Sequence, residues 1–117
     1  MNCRRGDIVL VLFPDSNLRT SKRRPALVIQ ADRLGLGLPQ TIVAMITSNT
    51  ARAGHISRVL VRVAGGGRES GLLMDSVIMT DMTDNLATVH DNEIDRVLGT
   101  LPDLAEVDAV LRMTLAL

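Results

Sequence analysis

The stretch Asp7–Phe13 reads DIVLVLF and is followed directly by Pro14. Its β-branched and aliphatic residues predict a β-strand, and the proline marks its end. A second run, Pro25–Gln30 (PALVIQ), predicts another strand. The polar residues Asp15–Arg24 between the two runs are expected to form a long loop. The N-terminal part of the chain is therefore predicted to be β-structure.

Three further apolar runs continue the strand-like pattern. They are Thr41–Thr47 (TIVAMIT), Ile56–Val63 (ISRVLVRV) and Leu72–Met79 (LLMDSVIM). In the second of these runs, Arg58 and Arg62 alternate with apolar residues and share one side of the strand. Gly65–Gly67 separate the last two runs, as a tight connection requires.

The C-terminal third contains one ambiguous and one clear segment. Asp91–Leu101 fits both helical spacing and a short strand, and we predict a turn followed by a strand. Pro102 suits the first position of a helix. Apolar residues then recur at helical intervals, at Leu104, Val107, Val110, Leu111, Thr114 and Leu115. One amphipathic C-terminal helix is predicted.

Six or seven short strands, without the long helices of parallel crossovers, predict a mainly β fold. We expect a small antiparallel barrel with the terminal helix packed on its surface. The 117 residues, 12.6 kDa in all, suffice for one domain spanning residues 1–117. Barrels of this kind carry many unrelated functions, so the site has to decide between them.

Several classes of protein are excluded by what the sequence lacks. It has no apolar run long enough to span a bilayer and no cleavable secretory signal, so a soluble cytoplasmic protein without a membrane partner is expected. Cys3 is the only cysteine, which precludes an internal disulfide. The sequence has no metal-ligand spacing, Gly-rich phosphate loop or nucleophile elbow, and we expect neither a metal nor a cofactor.

The formal net charge of zero conceals an uneven distribution. Residues 1–68 carry eleven basic and three acidic side chains, whereas residues 69–117 carry two basic and ten acidic ones. One fold must display both signs, so either the halves interleave or a basic face attracts a polyanion. A basic cluster, Arg19, Lys22, Arg23 and Arg24, precedes Pro25. It is either a solvated loop or a phosphate-binding element, and Arg24 is best placed because the strand holds its planar guanidinium.

Polar residues follow the third predicted strand. Thr47, Ser48 and Asn49 present two hydroxyls and an amide where a buried strand meets a loop, so they either bind a ligand or only begin a turn. Asp81 lies at the exit of the fifth predicted strand. His55 and His90 could act near neutral pH, although a lone histidine at a strand boundary is more often structural.

Five segments of the chain together resemble the MazF/PemK toxins of bacterial type II toxin–antitoxin systems. In chain order they are RGDIVLVLFP, KRRPALVIQ, VAMITSN, SGLLMDSVIMTD and the terminal LGTL followed by a helix. The resemblance extends in register over roughly residues 4–115, and the first two segments are specific as a combination.

The resemblance implies an SH3-like barrel, a homodimer and a metal-independent, sequence-specific endoribonuclease that cuts single-stranded RNA. It implies that Arg24 and Thr47 are the catalytic pair, with Ser48 in support. Some relatives close to PemK use an acid–arginine pair at a later strand exit. Asp81 matches that acid, but Met79 stands where the arginine would be. The predicted RNA-binding residues are Arg19, Lys22, Arg23, Asn49 and His55.

Such an enzyme would help the 2′-hydroxyl attack the adjacent phosphate and would leave a 2′,3′-cyclic phosphate and a 5′-hydroxyl. We expect Arg24 to stabilise the charge on the phosphate and Thr47 to position it. The resemblance further implies an antitoxin whose acidic tail occupies the RNA groove. Two other readings stay open: a gyrase poison on the same barrel, like CcdB, and an inactive RNA-binding barrel.

Overall fold

The predicted strands pair with one another in a computed structural model, which describes residues 3–14, 21–32, 39–63, 67–81 and 85–117. The strands in these residues are β1 (Asp7–Pro14), β2 (Ser21–Val28), β3 (Gln40–Thr47), β4 (Arg58–Val61), β5 (Ser76–Met79), β6 (Leu86–His90) and β7 (Ile94–Thr100). One helix, α1 (Ala105–Leu115), and two short 3₁₀ turns, Gly67–Ser70 and Asp91–Glu93, complete the described elements.

The strands form an antiparallel sheet in the order β4-β5-β3-β2-β1-β7, and β6 also pairs with β3. β1 lies between β2 and β7 and pairs with β2 along its whole length apart from Asp7. β3 pairs with β2 only at Val43–Met45, while Ile46 and Thr47 pair with β5. The strands β2 and β3 therefore separate just beyond this short stretch of pairing.

Both faces of the central strands are buried, because alternate residues point to opposite sides of a sheet. One core cluster contains Ile8, Leu27, Ala44, Ile46, Val59, Val61, Leu72, Ile78, Val107 and Leu111. The other contains Val9, Val11, Ala26, Val28, Val43, Met45, Val89 and Ile94. This arrangement explains why the central runs are almost continuously apolar rather than strictly alternating.

The predicted C-terminal helix is confirmed, and it packs through Val107 and Leu111 against the first cluster. It begins at Ala105, so Pro102 precedes the helix instead of occupying its first position. The backbone N–H of Ala105, the first residue of the helix, donates to Asp103 Oδ1 at 2.9 Å. Leu115, one of the apolar residues at helical spacing, is half exposed.

The two ends of the strand order approach each other through glycines. Gly71 has φ +73°, and a Cβ there would lie 2.1 Å from the carbonyl oxygen of Leu98 on β7. A Cβ on Gly99 would lie 2.1 Å from the carbonyl oxygen of Glu69. The segment between β4 and β5 thus packs directly on the backbone of β7. The mainly β, barrel-like fold with a C-terminal helix is confirmed.

Three predicted boundaries were wrong. β2 begins at Ser21, so the last residues of the predicted loop Asp15–Arg24 are strand, because they pair with β1. β4 is limited to Arg58–Val61, since a turn precedes it, in which the N–H of Arg58 donates to His55 O at 3.0 Å. β5 starts only at Ser76, because the hydroxyl of Ser76 donates to Met74 O at 2.9 Å and keeps the preceding segment out of the sheet.

The window Asp91–Leu101 does contain a turn followed by a strand, as predicted. His90 caps the turn, with its side chain accepting from Asn92 N and its own N–H donating to Glu93 Oε1 at 2.7 Å. β6 was missed. Its five residues follow a polar segment and carry one fully buried apolar side chain, Val89, which is too weak a pattern to predict a strand. Gly65 and Gly66 lie outside the described residues.

Candidate active site

A groove of about 450 Å³ opens where β2 and β3 separate. Its polar lining consists of Arg24 from β2, Thr47 and Ser48 at the end of β3, Ser76 from β5 and Arg96 from β7. Its apolar lining includes Leu10, Leu72 and Leu98. No acidic residue is among the described residues that line it. The groove therefore suits an anionic ligand that also has apolar parts.

Strand register explains why Arg24 and Thr47 meet. Ala26 pairs with Met45, and two residues further along both strands lie Arg24 and Thr47. Hydrogen bonding between β2 and β3 stops at Ala26 and Met45, so the two side chains flank a gap in the sheet instead of a continuous ladder. On the other side, Arg24 pairs with Val11 of β1, which anchors its backbone.

The β3 exit is a hydrogen-bonded turn. The backbone N–H of Asn49 donates to Thr47 Oγ1 at 3.1 Å, and the N–H of Ala51 donates to Asn49 Oδ1 at 3.1 Å. Because Thr47 Oγ1 accepts this bond, its hydroxyl hydrogen is directed elsewhere and can donate to a ligand. The Thr47–Asn49 segment therefore makes a turn, and Thr47 and Ser48 also line the groove, where a ligand-binding role stays a prediction.

The described part of the basic cluster, residues 22–24, lies on a strand and not in a loop. Lys22, Arg23 and Arg24 are exposed residues of β2, where they pair with Phe13, Leu12 and Val11 respectively. Arg23 Nε lies 3.5 Å from Asp95 Oδ2 in an exposed ion pair. Arg19 falls outside the described residues. The cluster's backbone is thus fixed by the sheet, which orders Arg24 more firmly than a loop would.

A second cavity, of about 230 Å³, lies on the other side of Thr47. It is lined by Thr47, Asn49, Ala51, Arg52, Arg58 and Met79. Two of these six residues are arginines, and neither Arg52 nor Arg58 was singled out as a site residue from the sequence. Alternation along the strand had indicated only that Arg58 shares a side with Arg62.

Asp81 sits at the exit of β5, as predicted, and faces Arg58. The two charges are 3.0 Å apart, measured from Arg58 Nε to Asp81 Oδ1, and the Arg58 side chain is only 7% exposed. These two atoms form an ion pair without the alignment of a hydrogen bond. Burial works to raise the pKa of Asp81, but a hydrogen bond from the Ser57 hydroxyl and the charge of Arg58 outweigh burial and lower that pKa.

The two histidines have structural partners. His55 is exposed, and its Nδ1 lies 2.7 Å from the Ser57 hydroxyl, which fixes the orientation of the ring. His90 caps the turn before β7. Neither ring lines either of the two cavities.

Arg96 is a further groove residue that sequence reasoning missed. It pairs with Leu10 of β1, which pairs in turn with Pro25 of β2, so Arg96 reaches the groove across three adjacent strands. The described residues contain no cluster of three or more histidine, cysteine, aspartate or glutamate side chains placed to hold a metal ion. No helix in the described part of the chain is long and apolar enough to cross a membrane.

Together, the barrel-like antiparallel sheet, the C-terminal helix and a basic groove beside a strand exit define a small β protein with a groove suited to anions. The sequence model of the "PemK-like, MazF-like toxin of type II toxin-antitoxin system" family matches residues 4–115. The chain belongs to this family, which confirms the resemblance drawn from its motifs.

Individual relatives agree with this assignment. The chain is 35% identical over 102 residues to Endoribonuclease MazF6 of Mycobacterium tuberculosis and to Endoribonuclease MazF2 of Mycobacterium bovis, covering 80% of this chain and 90% of each relative. The fold is similar to that of the MazE–MazF structure from Deinococcus radiodurans, with TM-score 0.71, 18% identity and coverage of 98% and 96%. It is also similar to an endoribonuclease in complex with its cognate antitoxin from a mycobacterial species, with TM-score 0.70, 17% identity and coverage of 99% and 97%.

Proposed function

We propose that this protein is a sequence-specific, metal-independent endoribonuclease toxin that cleaves single-stranded RNA and leaves a 2′,3′-cyclic phosphate and a 5′-hydroxyl. The observation that carries the proposal is the groove that Arg24, Thr47, Ser48 and Arg96 line together. Family membership supports it, because curated relatives 35% identical to the chain are named endoribonucleases.

In the proposed reaction the 2′-oxygen of one ribose forms a bond to the adjacent phosphorus, and the bond from phosphorus to the 5′-oxygen of the next nucleotide breaks. The proton leaves the 2′-hydroxyl for a base, and the 5′-oxygen gains a proton. Arg24 donates hydrogen bonds to the phosphate oxygens as negative charge grows on them. Arginine keeps its proton at any physiological pH, so its role is electrostatic and not that of a conventional acid.

Thr47 positions the reacting phosphate or the 2′-hydroxyl. Its oxygen already accepts the Asn49 N–H, which holds the hydroxyl group in place at the wall of the groove. Ser48 adds a second hydroxyl on the same wall. We assign Asp81 a role through Arg58, the side chain it pairs with, because Asp81 is not among the residues that line either cavity.

Binding of the RNA strand falls to the polar and basic residues around the groove. Exposed Lys22 and Arg23 on β2 contribute charge beside Arg24, Asn49 follows the β3 exit, and His55 is an exposed residue in the turn before β4. Arg19, proposed for the same role, lies outside the described residues. DNA, which lacks the 2′-hydroxyl nucleophile, is not cleaved in this mechanism.

A groove that combines two arginines with apolar side chains and no acid also fits a peptide that carries carboxylates and aliphatic residues. We propose that a cognate antitoxin places an acidic tail there and competes with RNA. The solved complexes with MazE and with a cognate antitoxin concern similar folds, and they support this choice of partner. A homodimer that acts in the cytoplasm completes the proposal.

The proposal is tested by incubating the purified protein with a long, defined single-stranded RNA in EDTA and mapping the 5′ ends of the fragments. Discrete cuts that persist without metal and disappear in Arg24→Ala and Thr47→Ala are expected. A gyrase supercoiling assay is run beside it. Intact RNA together with inhibited supercoiling would contradict the proposal in favour of a gyrase poison, and RNA binding without cutting would favour an inactive barrel.

A further inference from the structure

The second cavity holds a buried arginine, Arg58, which the proposed cleavage mechanism uses only as the partner of Asp81 and not in contact with RNA. Only 7% of the Arg58 side chain on β4 is exposed. Arg58 nevertheless lines the cavity of about 230 Å³, which shares Thr47 with the groove. Its Nε has an ion-pair partner, Asp81, but no aligned hydrogen bond. A guanidinium is expensive to bury, so an arginine held in this position calls for a reason.

Strand register directs Arg58 towards this cavity. Arg58 pairs with Met79 of β5, and Met79 lines the same cavity. Asp81, two residues beyond Met79, approaches the Nε side of the guanidinium. Asp81 therefore occupies the Nε side of the guanidinium, and Arg58 lines the cavity beside Met79.

The rest of the lining suits a phosphate. Arg52 adds a second, exposed guanidinium, and Asn49 and Thr47 add an amide and a hydroxyl. No acidic residue is among the six lining residues, although Asp81 lies behind Arg58 and offsets one positive charge. Two arginines against one carboxylate leave a net positive site, and planar guanidinium groups bind phosphate oxygens in pairs.

We propose that this cavity binds a backbone phosphate of the RNA strand adjacent to the scissile one, through Arg58 and Arg52. The inference rests on the proposed ribonuclease function. Thr47 forms part of the wall of both the groove and the cavity, so an RNA strand whose reacting phosphate lies at Arg24 and Thr47 continues over Thr47 into the second cavity. Contact with the backbone positions the strand without selecting a base.

The test measures how RNA affinity depends on salt. A single-stranded RNA with 2′-O-methyl groups, which the enzyme cannot cleave, is titrated against the wild type, Arg58→Met, Arg52→Gln and a control, Arg112→Gln. Arg112 is exposed on α1 and lines neither cavity. Each phosphate contact on single-stranded nucleic acid contributes about 0.7 to the slope of log K against log salt concentration.

Arg58→Met and Arg52→Gln are each expected to lower this slope, by at most about 0.7 because the two arginines share one phosphate, and to raise KM for cleavage with little change in kcat. Arg112→Gln is expected to keep the wild-type slope. The melting temperature of Arg58→Met is measured as well. A lowered melting temperature with an unchanged slope would show that Arg58 is purely structural and would overturn the proposal.

Arg52→Gln keeps the test decisive if Arg58→Met fails to fold, because Arg52 is exposed and its loss empties no part of the core. A wild-type slope in Arg52→Gln then overturns the proposal. Cleavage by the wild type is assayed on the unmodified RNA of the same sequence. Failure of that cleavage refutes the proposed function, whereas normal cleavage with unchanged slopes refutes only the second phosphate site.

Discussion

Arg24 and Thr47 lie on one line of strand register, two residues beyond the last paired residues of β2 and β3, Ala26 and Met45. The two candidate site residues thus come from strands that pair with each other nearby and separate at the groove. A site at the end of the β2–β3 pairing has its backbone fixed by the sheet and is still accessible to a ligand, as a loop is.

The hydroxyl of Thr47 is predicted to matter more than its methyl group. Thr47→Val preserves the shape of the side chain but removes the oxygen that accepts from Asn49 N. We expect it to lower kcat/KM for RNA cleavage roughly 10²–10³-fold, the range seen when one stabilising donor is lost. Thr47→Ser keeps the hydroxyl and should retain most of the activity. Equal activity in the Val and wild-type enzymes would remove Thr47 from the mechanism.

The predictable part of the site came from signals that are local in sequence. Thr47, Ser48 and Asn49 follow an apolar run, and Arg24 directly precedes Pro25, so their positions at strand and loop boundaries can be inferred without a partner strand. The barrel class could likewise be predicted, because strand-like runs and a helix-period C-terminus are each visible over short windows.

The unpredicted part depends on contacts between distant residues. The polar segment starting at Ser21 becomes strand only because it pairs with β1, which overrides its low strand propensity. Arg96 reaches the groove through a β1–β7 register that contains two irregularities, after Ile8 and after Leu10. The Arg58–Asp81 pair requires the β4–β5 register. No local pattern contains this information.

Asp81 is predicted to stabilise the fold in a pH-dependent way. Its pKa is lower in the folded protein than its ordinary value of 3.8, so its ionised form favours folding. This contribution is fully present above pH 3.8 and is lost as the pH falls through the folded-state pKa. We expect Asp81→Asn to cost about 1–3 kcal/mol at neutral pH, because it leaves a buried guanidinium without its counter-charge.

Urea unfolding of Asp81→Asn and the wild type across pH 3 to 7 checks this prediction. The difference in unfolding free energy should shrink as the pH falls below 3.8. Asp95→Asn is the matched control, since its pair with Arg23 is exposed and should contribute no more than about 0.5 kcal/mol. A difference for Asp81→Asn that stays constant with pH would mean that charge is not the cause.

Arg5 is predicted to hold the C-terminal helix to the sheet. Its Nε donates to Ile29 O at 2.9 Å, and its Nη2 donates to Asp108 Oδ1 at 2.6 Å in a partly buried contact. Arg5→Met should lower the unfolding free energy by about 1–3 kcal/mol, because a carbonyl and a carboxylate lose their partner. Thermal and urea unfolding measure the loss.

Arg23→Met provides the contrast. The Arg23 ion pair is exposed on both sides, so its loss should change stability by less than about 0.5 kcal/mol, while RNA binding weakens. Equal destabilisation by the two substitutions would show that burial does not distinguish the two arginines.

Gly99 is predicted to be required for the close packing of the segment between β4 and β5 on β7. A Cβ there would lie 2.1 Å from Glu69 O and 2.4 Å from the carbonyl carbon of Ser70, and both of these atoms belong to the backbone, which cannot rotate away. Gly99→Ala must therefore push the segment between β4 and β5 away from β7, and we expect a loss of more than about 2 kcal/mol in unfolding free energy.

Gly54→Ala is the matched control, since no atom lies within 4 Å of a Cβ built there and its φ is not in the left-handed region. It should be neutral or slightly stabilising, because alanine reduces the freedom of the unfolded chain.

RNA cleavage is a second measurement for Gly99→Ala. Gly71 and Leu98 contact each other where the segment between β4 and β5 packs on β7, and both line the groove. Gly99→Ala should therefore impair RNA cleavage even at temperatures where the variant is fully folded. Normal cleavage by a folded Gly99→Ala protein would show that the shape of the groove does not depend on how the segment between β4 and β5 packs on β7.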